Sequence, residues 1–236
     1  MSYIKDIARR LFIQSKEDSV ENLGFYNETL NDRWILECIY PDKYNGYFVE
    51  AGACNGKFGS CCYLLEKERG WKGLCIEPND DWFPQLVETR PNSICENVCV
   101  AATARQVTYI KGTGGSAPYL GGIKENLKKF KHGSKAILKK GEEVKKNAVP
   151  LATLLKKHNA PKAIDYAAFD IEGSELEVLA NFPFDDYYFS ALSLECDGYI
   201  WDDITKILLS KGYQEVKNPF NTDKPWERYW LHHTML

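Results

Sequence analysis

The sequence has no apolar run long enough to cross a bilayer, so a helical membrane span is not expected. It has no excess of positive charge either. The 30 Lys and Arg against 33 Asp and Glu leave a net charge of −3, which argues against a general nucleic-acid binder. The first residues, MSYIKDIARRLFIQS, do not read as a secretory signal, because Asp6, Arg9 and Arg10 interrupt any apolar core. The eight cysteines form no CxxC pair, and no His stands at zinc-finger spacing from them. Cys54, Cys61, Cys62, Cys75, Cys95, Cys99 and Cys196 lie in or beside apolar runs. They are expected to be buried free thiols of a reducing, cytoplasmic compartment.

What is present is an alternation of strand-like and helix-like segments. Ile4, Ile7, Ala8, Leu11 and Phe12 repeat with helical spacing, so residues 1–46 are expected as a helical segment packed on the core. From residue 47 to 236 a single domain is expected. GYFVEAGA reads as a buried strand closed by glycine, SCCYLLEKERG as a helix capped by Gly70, and WKGLCIEP as a second strand. NDDWFPQLVETR, VPLATLLKKHN, SELEVLANF and YIWDDITKILLSKG read as further helices. SICENVCVAA, QVTYIKG, AIDYAAFDIEG and YYFSALSLECD read as further strands, and YQEVKN with ERYWLHH as a closing antiparallel pair. The pattern predicts a doubly wound, Rossmann-like α/β fold with a mostly parallel sheet and helices on both faces.

In such a sheet, ligands bind beyond the carboxyl ends of the strands, where the strand order switches. The residues to weigh are therefore Glu50 with Gly52 and Gly56, Glu77, Asn97, Asp170 with Glu172, and Glu195 with Asp197. One acid at a strand end is an ordinary cap or surface group. Five polar strand ends suggest a site, because a charge at the end of a buried strand is costly unless something there uses it. Gly52 and Gly56 allow a tight turn and close approach of backbone to ligand, and Glu77 is placed to accept from both ribose hydroxyls. A dinucleotide and S-adenosylmethionine both fit that much. The turn EAGACNG lacks the middle glycine of G-x-G-x-x-G. Glu50 would repel a pyrophosphate but suits an ammonium or sulfonium charge, which favours S-adenosylmethionine. An ordinary strand-to-helix turn is the plain alternative.

The chain resembles the FkbM family of S-adenosylmethionine-dependent methyltransferases. The resemblance rests on FVEAGACNGKFGSCCYLLE (48–66), GWKGLCIEPNDDWFPQLVETRP (70–91), LATLLKKH (151–158), IDYAAFDIEGSELEVLANF (164–182) and LSLECDGY (192–199), and it spans roughly residues 48–230. It departs from the family pattern at Asn55, where the family usually has an acid, and at Cys61 and Cys62, where it usually has Asn-Thr. The resemblance implies a class I methyltransferase fold. It implies that Glu50, Gly52 and Asn55 hold the methionine part of the cofactor, with Gly56 in the same cofactor-binding turn, and that Ser60 adds a hydroxyl. Glu77 would take the ribose, and Asn97 would stand by the adenine. Similar proteins methylate hydroxyls on polyketides, sugars and surface glycans, so a sugar or glycan acceptor is expected. Some relatives are not known to be enzymes. A nicotinamide-dependent oxidoreductase and a non-catalytic binding domain are the competing readings.

A sugar hydroxyl is a poor nucleophile at neutral pH, so a base or a metal is expected beside it. Asp170, Glu172 and Glu195 are the catalytic candidates. Asp170, Glu195 and Asp197 are the candidate ligands for Mg²⁺, which favours oxygen donors. The plain alternative makes Glu172 a helix cap. Residues 112–148 carry nine lysines against three acids, a local +6 (9 minus 3). This stretch is expected as an insertion. It is either a solvated helix face or a lid that docks an anionic acceptor.

Overall fold

The structure is a computed structural model in which residues 24–113, 119–128, 134–195 and 200–236 are described. The stripe Ile4–Phe12, Asp197 and parts of the lysine-rich stretch lie outside the described residues.

The central strand is β1 (Tyr47–Ala51). Its aromatic and β-branched residues pair in parallel with β2 (Lys72–Ile76) on one side and β8 (Ala163–Phe169) on the other. Outward from β2 lies β3 (Ile94–Glu96), parallel to it. Outward from β8 lie β9 (Tyr188–Glu195), then β11 (Glu227–His232) and β10 (Tyr213–Val216). The β9–β11 and β10–β11 pairs are antiparallel, and the rest of this seven-stranded sheet is parallel. The chain builds outward from β1 to β3, then returns to the other side of β1. The switch point therefore falls between β1 and β8.

Both faces of the sheet are covered. One core holds Val49, Leu74 and Leu192 with the helices Leu151–Lys157, Glu175–Ala180 and Trp201–Ser210. The other holds Phe48, Cys75 and Tyr166 with α1 (Tyr63–Arg69) and the segment Trp34–Ile39. That segment is a π-turn, with Tyr40 N–H donating to the Ile35 carbonyl at 2.8 Å. Its Trp34 packs edge-on against Tyr166 and Tyr229. α1 stops at Gly70, which adopts φ 64° and donates to the Glu66 carbonyl.

A second sheet differs from the sequence expectation. The run SICENVCVAA is not one strand. It leaves the large sheet after Glu96 and continues as β4 (Cys99–Val100) in a four-stranded sheet of order β4-β7-β5-β6. The other strands are β5 (Arg105–Lys111), β6 (Gly121–Ile123) and β7 (Glu142–Val149). The break falls at Asn97, whose amide donates to the Glu77 carbonyl and accepts from Lys146 Nζ at 2.8 Å. β7 lies inside the lysine-rich stretch. Its Lys146 is buried and also pairs with Asp80. Among the described residues no helix is long and apolar enough to cross a membrane. Cys38, Cys61, Cys62, Cys75 and Cys99 are buried free thiols, and Cys54 and Cys95 are half-buried free thiols.

Candidate cofactor cleft

The carboxyl ends of β1, β2 and β8 open into a cleft, which the second sheet covers from above. Gly52, Cys54, Glu77, Tyr109, Asp170 and Glu172 are among the residues that line it. Gly52 has φ 90°, and a Cβ there would lie 2.0 Å from the Asp170 carbonyl oxygen. Only glycine lets the ends of β1 and β8 come this close. Asp170 N–H in turn donates to the Ala51 carbonyl at 3.0 Å. The mouth of the cleft is flanked by a stack of three rings, with Tyr119 between Phe58 (4.6 Å) and Trp82 (4.9 Å).

Glu77 is buried at the end of β2, where its two oxygens accept from the backbone N–H groups of Cys54 (2.8 Å) and Asn79 (2.7 Å). Each oxygen keeps a lone pair for a further donor. Burial pushes this carboxyl up to about 7 against those hydrogen bonds. Asp170 lies on the cleft floor. Water reaches its side chain, yet protein crowds it, and desolvation followed by the charge of Glu28 raises it to about 6. Glu172 is buried with φ 53°, a left-handed conformation unusual for a non-glycine residue. The bend that carries it is held by Glu175, which is wholly buried and accepts from the N–H groups of Ile171 and Gly173.

Several expected ligand-contacting residues do other work. Glu50 does not line the cleft. One of its oxygens pairs with Arg90 at 2.8 Å, and the other accepts from Ser60 Oγ and Cys61 N–H, both at 2.7 Å. The Glu50 charge, expected to meet the ligand's positive charge, is here paired with a buried guanidinium. Arg90 also binds Glu66 at 2.8 Å, so it ties the loop after β1 to α1. Gly56 is needed because a Cβ there would meet Arg90 and Leu86 side chains at 2.8 Å. Ser60 Oγ accepts from Cys62 and Tyr63 N–H and so braces the start of α1. Asn55 accepts from Lys57 and Phe58 N–H in a local turn. Asn97 clamps the end of β3 to Lys146 rather than lining the cleft.

Glu195 also stands outside the lining, paired in register with Glu227 across β9 and β11. Burial, then the charge of Asp170, lifts it far above the carboxylate range. Glu227 is raised to about 8 by burial and accepts from Asn31 Nδ2 at 2.7 Å. Among the described residues no group of three His, Cys, Asp or Glu has a metal-binding arrangement. Asp170 and Glu195 therefore do not form the expected Mg²⁺ site with a third described ligand.

The sequence matches the Methyltransferase FkbM domain over residues 50–215. The chain belongs to the FkbM methyltransferase family. The matched stretch takes in the whole cleft. Solved structures with a similar course include a TehB-like methyltransferase from Corynebacterium glutamicum (10% identity, 98% of each chain, TM-score 0.43). A putative RNA methyltransferase from Pyrococcus horikoshii is 10% identical over 98% of this chain and 99% of that one, with TM-score 0.40. A methyltransferase from Pyrococcus furiosus is 15% identical over 97% and 93%, with TM-score 0.41. No curated protein matches the chain.

An FkbM domain uses S-adenosylmethionine, and the cleft suits that molecule. Gly52 gives close backbone access, Glu77 offers acceptors for a diol, and three acids, Glu77, Asp170 and Glu172, complement a cation. Sequence reasoning missed Arg90, Glu175 and Tyr109. For Arg90 the only sequence signal was an arginine closing an otherwise amphipathic helix, which is an ordinary helix end.

Proposed function

We propose that this chain transfers the methyl group of S-adenosylmethionine to a hydroxyl oxygen of a small molecule or glycan, with a sugar hydroxyl as the acceptor. When bound, the cofactor supplies a methyl group already activated by its sulfonium charge. The protein's residues must hold the cofactor, align the acceptor and remove its proton. Gly52 and Glu77 are assigned to the cofactor. Glu50, Asn55, Gly56 and Ser60 are assigned to keeping the loop after β1 in place, and Asn97 to fixing the end of β3.

The observation that carries the reading is Asp170, a carboxylate that lines the cleft floor together with Glu77 and Glu172, where a general base for the acceptor is needed. Asp170 takes the acceptor's proton. Burial, then the charge of Asp170, raises the neighbouring Glu195, so the two acids resist ionising together. Glu172 borders the same floor and is assigned to orienting the acceptor hydroxyl. The sugar class rests on the family resemblance and on the chemistry, since an unactivated hydroxyl needs such a base. The same proposal takes 47–236 as the catalytic unit, 1–46 as its packing segment and the cytoplasm as its compartment. It also treats the lysine-rich insertion as the acceptor's docking side.

Methyl transfer from labelled S-adenosylmethionine to a panel of sugars and glycans tests this. Asp170→Asn is expected to lose roughly 10²- to 10⁴-fold in kcat with cofactor affinity kept and chelator without effect. Transfer to no hydroxyl acceptor, with cofactor binding intact, would favour the non-catalytic binding domain. Loss of wild-type activity in chelator, restored by Mg²⁺, would return the acids to metal binding.

A further inference from the structure

One polar group in the roof of the cleft is used by none of the residues assigned so far. Tyr109 of β5 is 4% exposed, and its ring packs with Val107, Ile123 and Ala148 in the small core of the second sheet. The same residue lines the cleft. Among the described residues no hydrogen bond to its hydroxyl is seen, and the oxygen is not one of the buried polar atoms cut off from water, so it opens to the cleft. β6 leaves room for that hydroxyl only because residue 121 is glycine, where a Cβ would lie 2.2 Å from the phenol oxygen. The next glycine, Gly122, lets β6 approach Glu172, whose Cβ would be 3.1 Å from an added methyl. Gly121 thus keeps a side chain off the phenol oxygen, and Gly122 keeps one off Leu127 and Glu172.

Burial raises the Tyr109 phenol well above its ordinary value, and Glu77 is the first of the anionic groups that add to the effect. The phenol is therefore a donor at neutral pH, set in a field of acceptors. A hydroxyl that faces the cleft with no protein partner among the described residues is available to a ligand oxygen. We propose that Tyr109 contacts the ligand and donates to a ribose oxygen of the bound nucleoside, opposite Glu77. The assignment rests on the reading of Glu77 as the ribose acceptor. Each hydroxyl of a vicinal diol both donates and accepts. Glu77 can only accept when ionised, so a donor beside it completes the recognition. The second sheet then belongs to the binding site and is not merely appended to the fold.

Tyr109→Phe keeps the ring and removes the oxygen. Calorimetry is run on wild type and variant with S-adenosylhomocysteine, and again with its analogue lacking both ribose hydroxyls. Melting is recorded without ligand. The variant should bind S-adenosylhomocysteine about tenfold more weakly. It should bind the dideoxy analogue as well as the wild type does, and melt at the same temperature or higher. Equal affinity for S-adenosylhomocysteine overturns the assignment, as does a loss that persists with the dideoxy analogue. A lower melting temperature would make the hydroxyl structural. An unchanged cofactor affinity with a raised acceptor KM would move it to the acceptor and also overturn the assignment. If the wild type itself fails to bind S-adenosylhomocysteine, the methyltransferase reading of the cleft falls, which is a separate result.

Discussion

Replacing Glu50 by Gln removes one charge from a wholly buried pair while changing the volume little. In the native protein Arg90 Nη1 lies 2.8 Å from Glu50 and Nε 2.8 Å from Glu66, with Arg90 and Glu50 side chains 0% and 3% exposed. The substitution leaves the guanidinium one carboxylate short and sets an amide N–H₂ against donors from Arg90, Ser60 or Cys61. Breaking a buried pair from one side costs about 3–5 kcal/mol. For a domain of this size each kcal/mol shifts Tm by roughly 2–4 °C, so a fall of about 6–20 °C is expected. Urea unfolding and calorimetry would measure it. Cofactor affinity should suffer only through the loosened loop, and should recover where the variant is still fully folded. A variant with wild-type Tm but lost affinity for S-adenosylhomocysteine would refute the reasoning and place Glu50 on the ligand.

Stability should fall as pH rises from 6 to 9. Burial raises Glu77 to about 7 and Glu175 and Glu227 to about 8, all from 4.5. A carboxyl whose folded pKa is raised adds stability that is complete below its unfolded pKa and is lost as pH passes the folded value. Glu96 and Glu177 are shifted downward, so their contribution is lost only in more acidic solution, outside this window. A Tm that climbs between pH 6 and 9 would contradict the burial of these acids. Gly52→Ala should cost far more than Gly59→Ala, although both have positive φ, at 90° and 68°. The first Cβ meets the Asp170 carbonyl at 2.0 Å and the second meets nothing within 4 Å. The Gly59 variant should lose only about 1–2 kcal/mol of backbone strain. Equal losses by urea unfolding would mean that β1 and β8 are not held this close.

Much of the large sheet was legible because its strands are compact apolar runs with clear stops. VEAG ends in a glycine that the packing requires, and LCIEP ends in a proline. The closing strands, YQEV and ERYWLH, form the antiparallel pair their short β-rich runs suggested. The second sheet was hidden by its composition. β4 has two residues, and β7, EEVKKNAV, turns Lys146 inward where an apolar residue would have shown the alternation. That lysine is held by Asp80 and Asn97, which lie about fifty and more residues earlier in the chain. In the site, Gly52, Glu77, Asp170 and Glu172 were singled out because strand ends are where such folds bind ligands, and all four line the cleft. The pairing of Glu50 was not legible, for a physical reason. An acid before a glycine turn looks the same whether it faces a ligand or an arginine forty residues away. Tyr109 lies in a run that reads as a strand, QVTYIKG, but its place in a second sheet over the cleft was not legible.

The central claim is a nucleoside site built on Glu77, and titration calorimetry with S-adenosylhomocysteine tests it most directly. The wild type should bind one equivalent, and NAD should not compete. Glu77→Gln should lose the charge-assisted bonds to the ribose, about 1.5–3 kcal/mol or roughly tenfold to a hundredfold in affinity, under conditions where melting shows it folded. A wild type that does not bind S-adenosylhomocysteine, or a folded Glu77→Gln variant that binds it with wild-type affinity, would contradict the account.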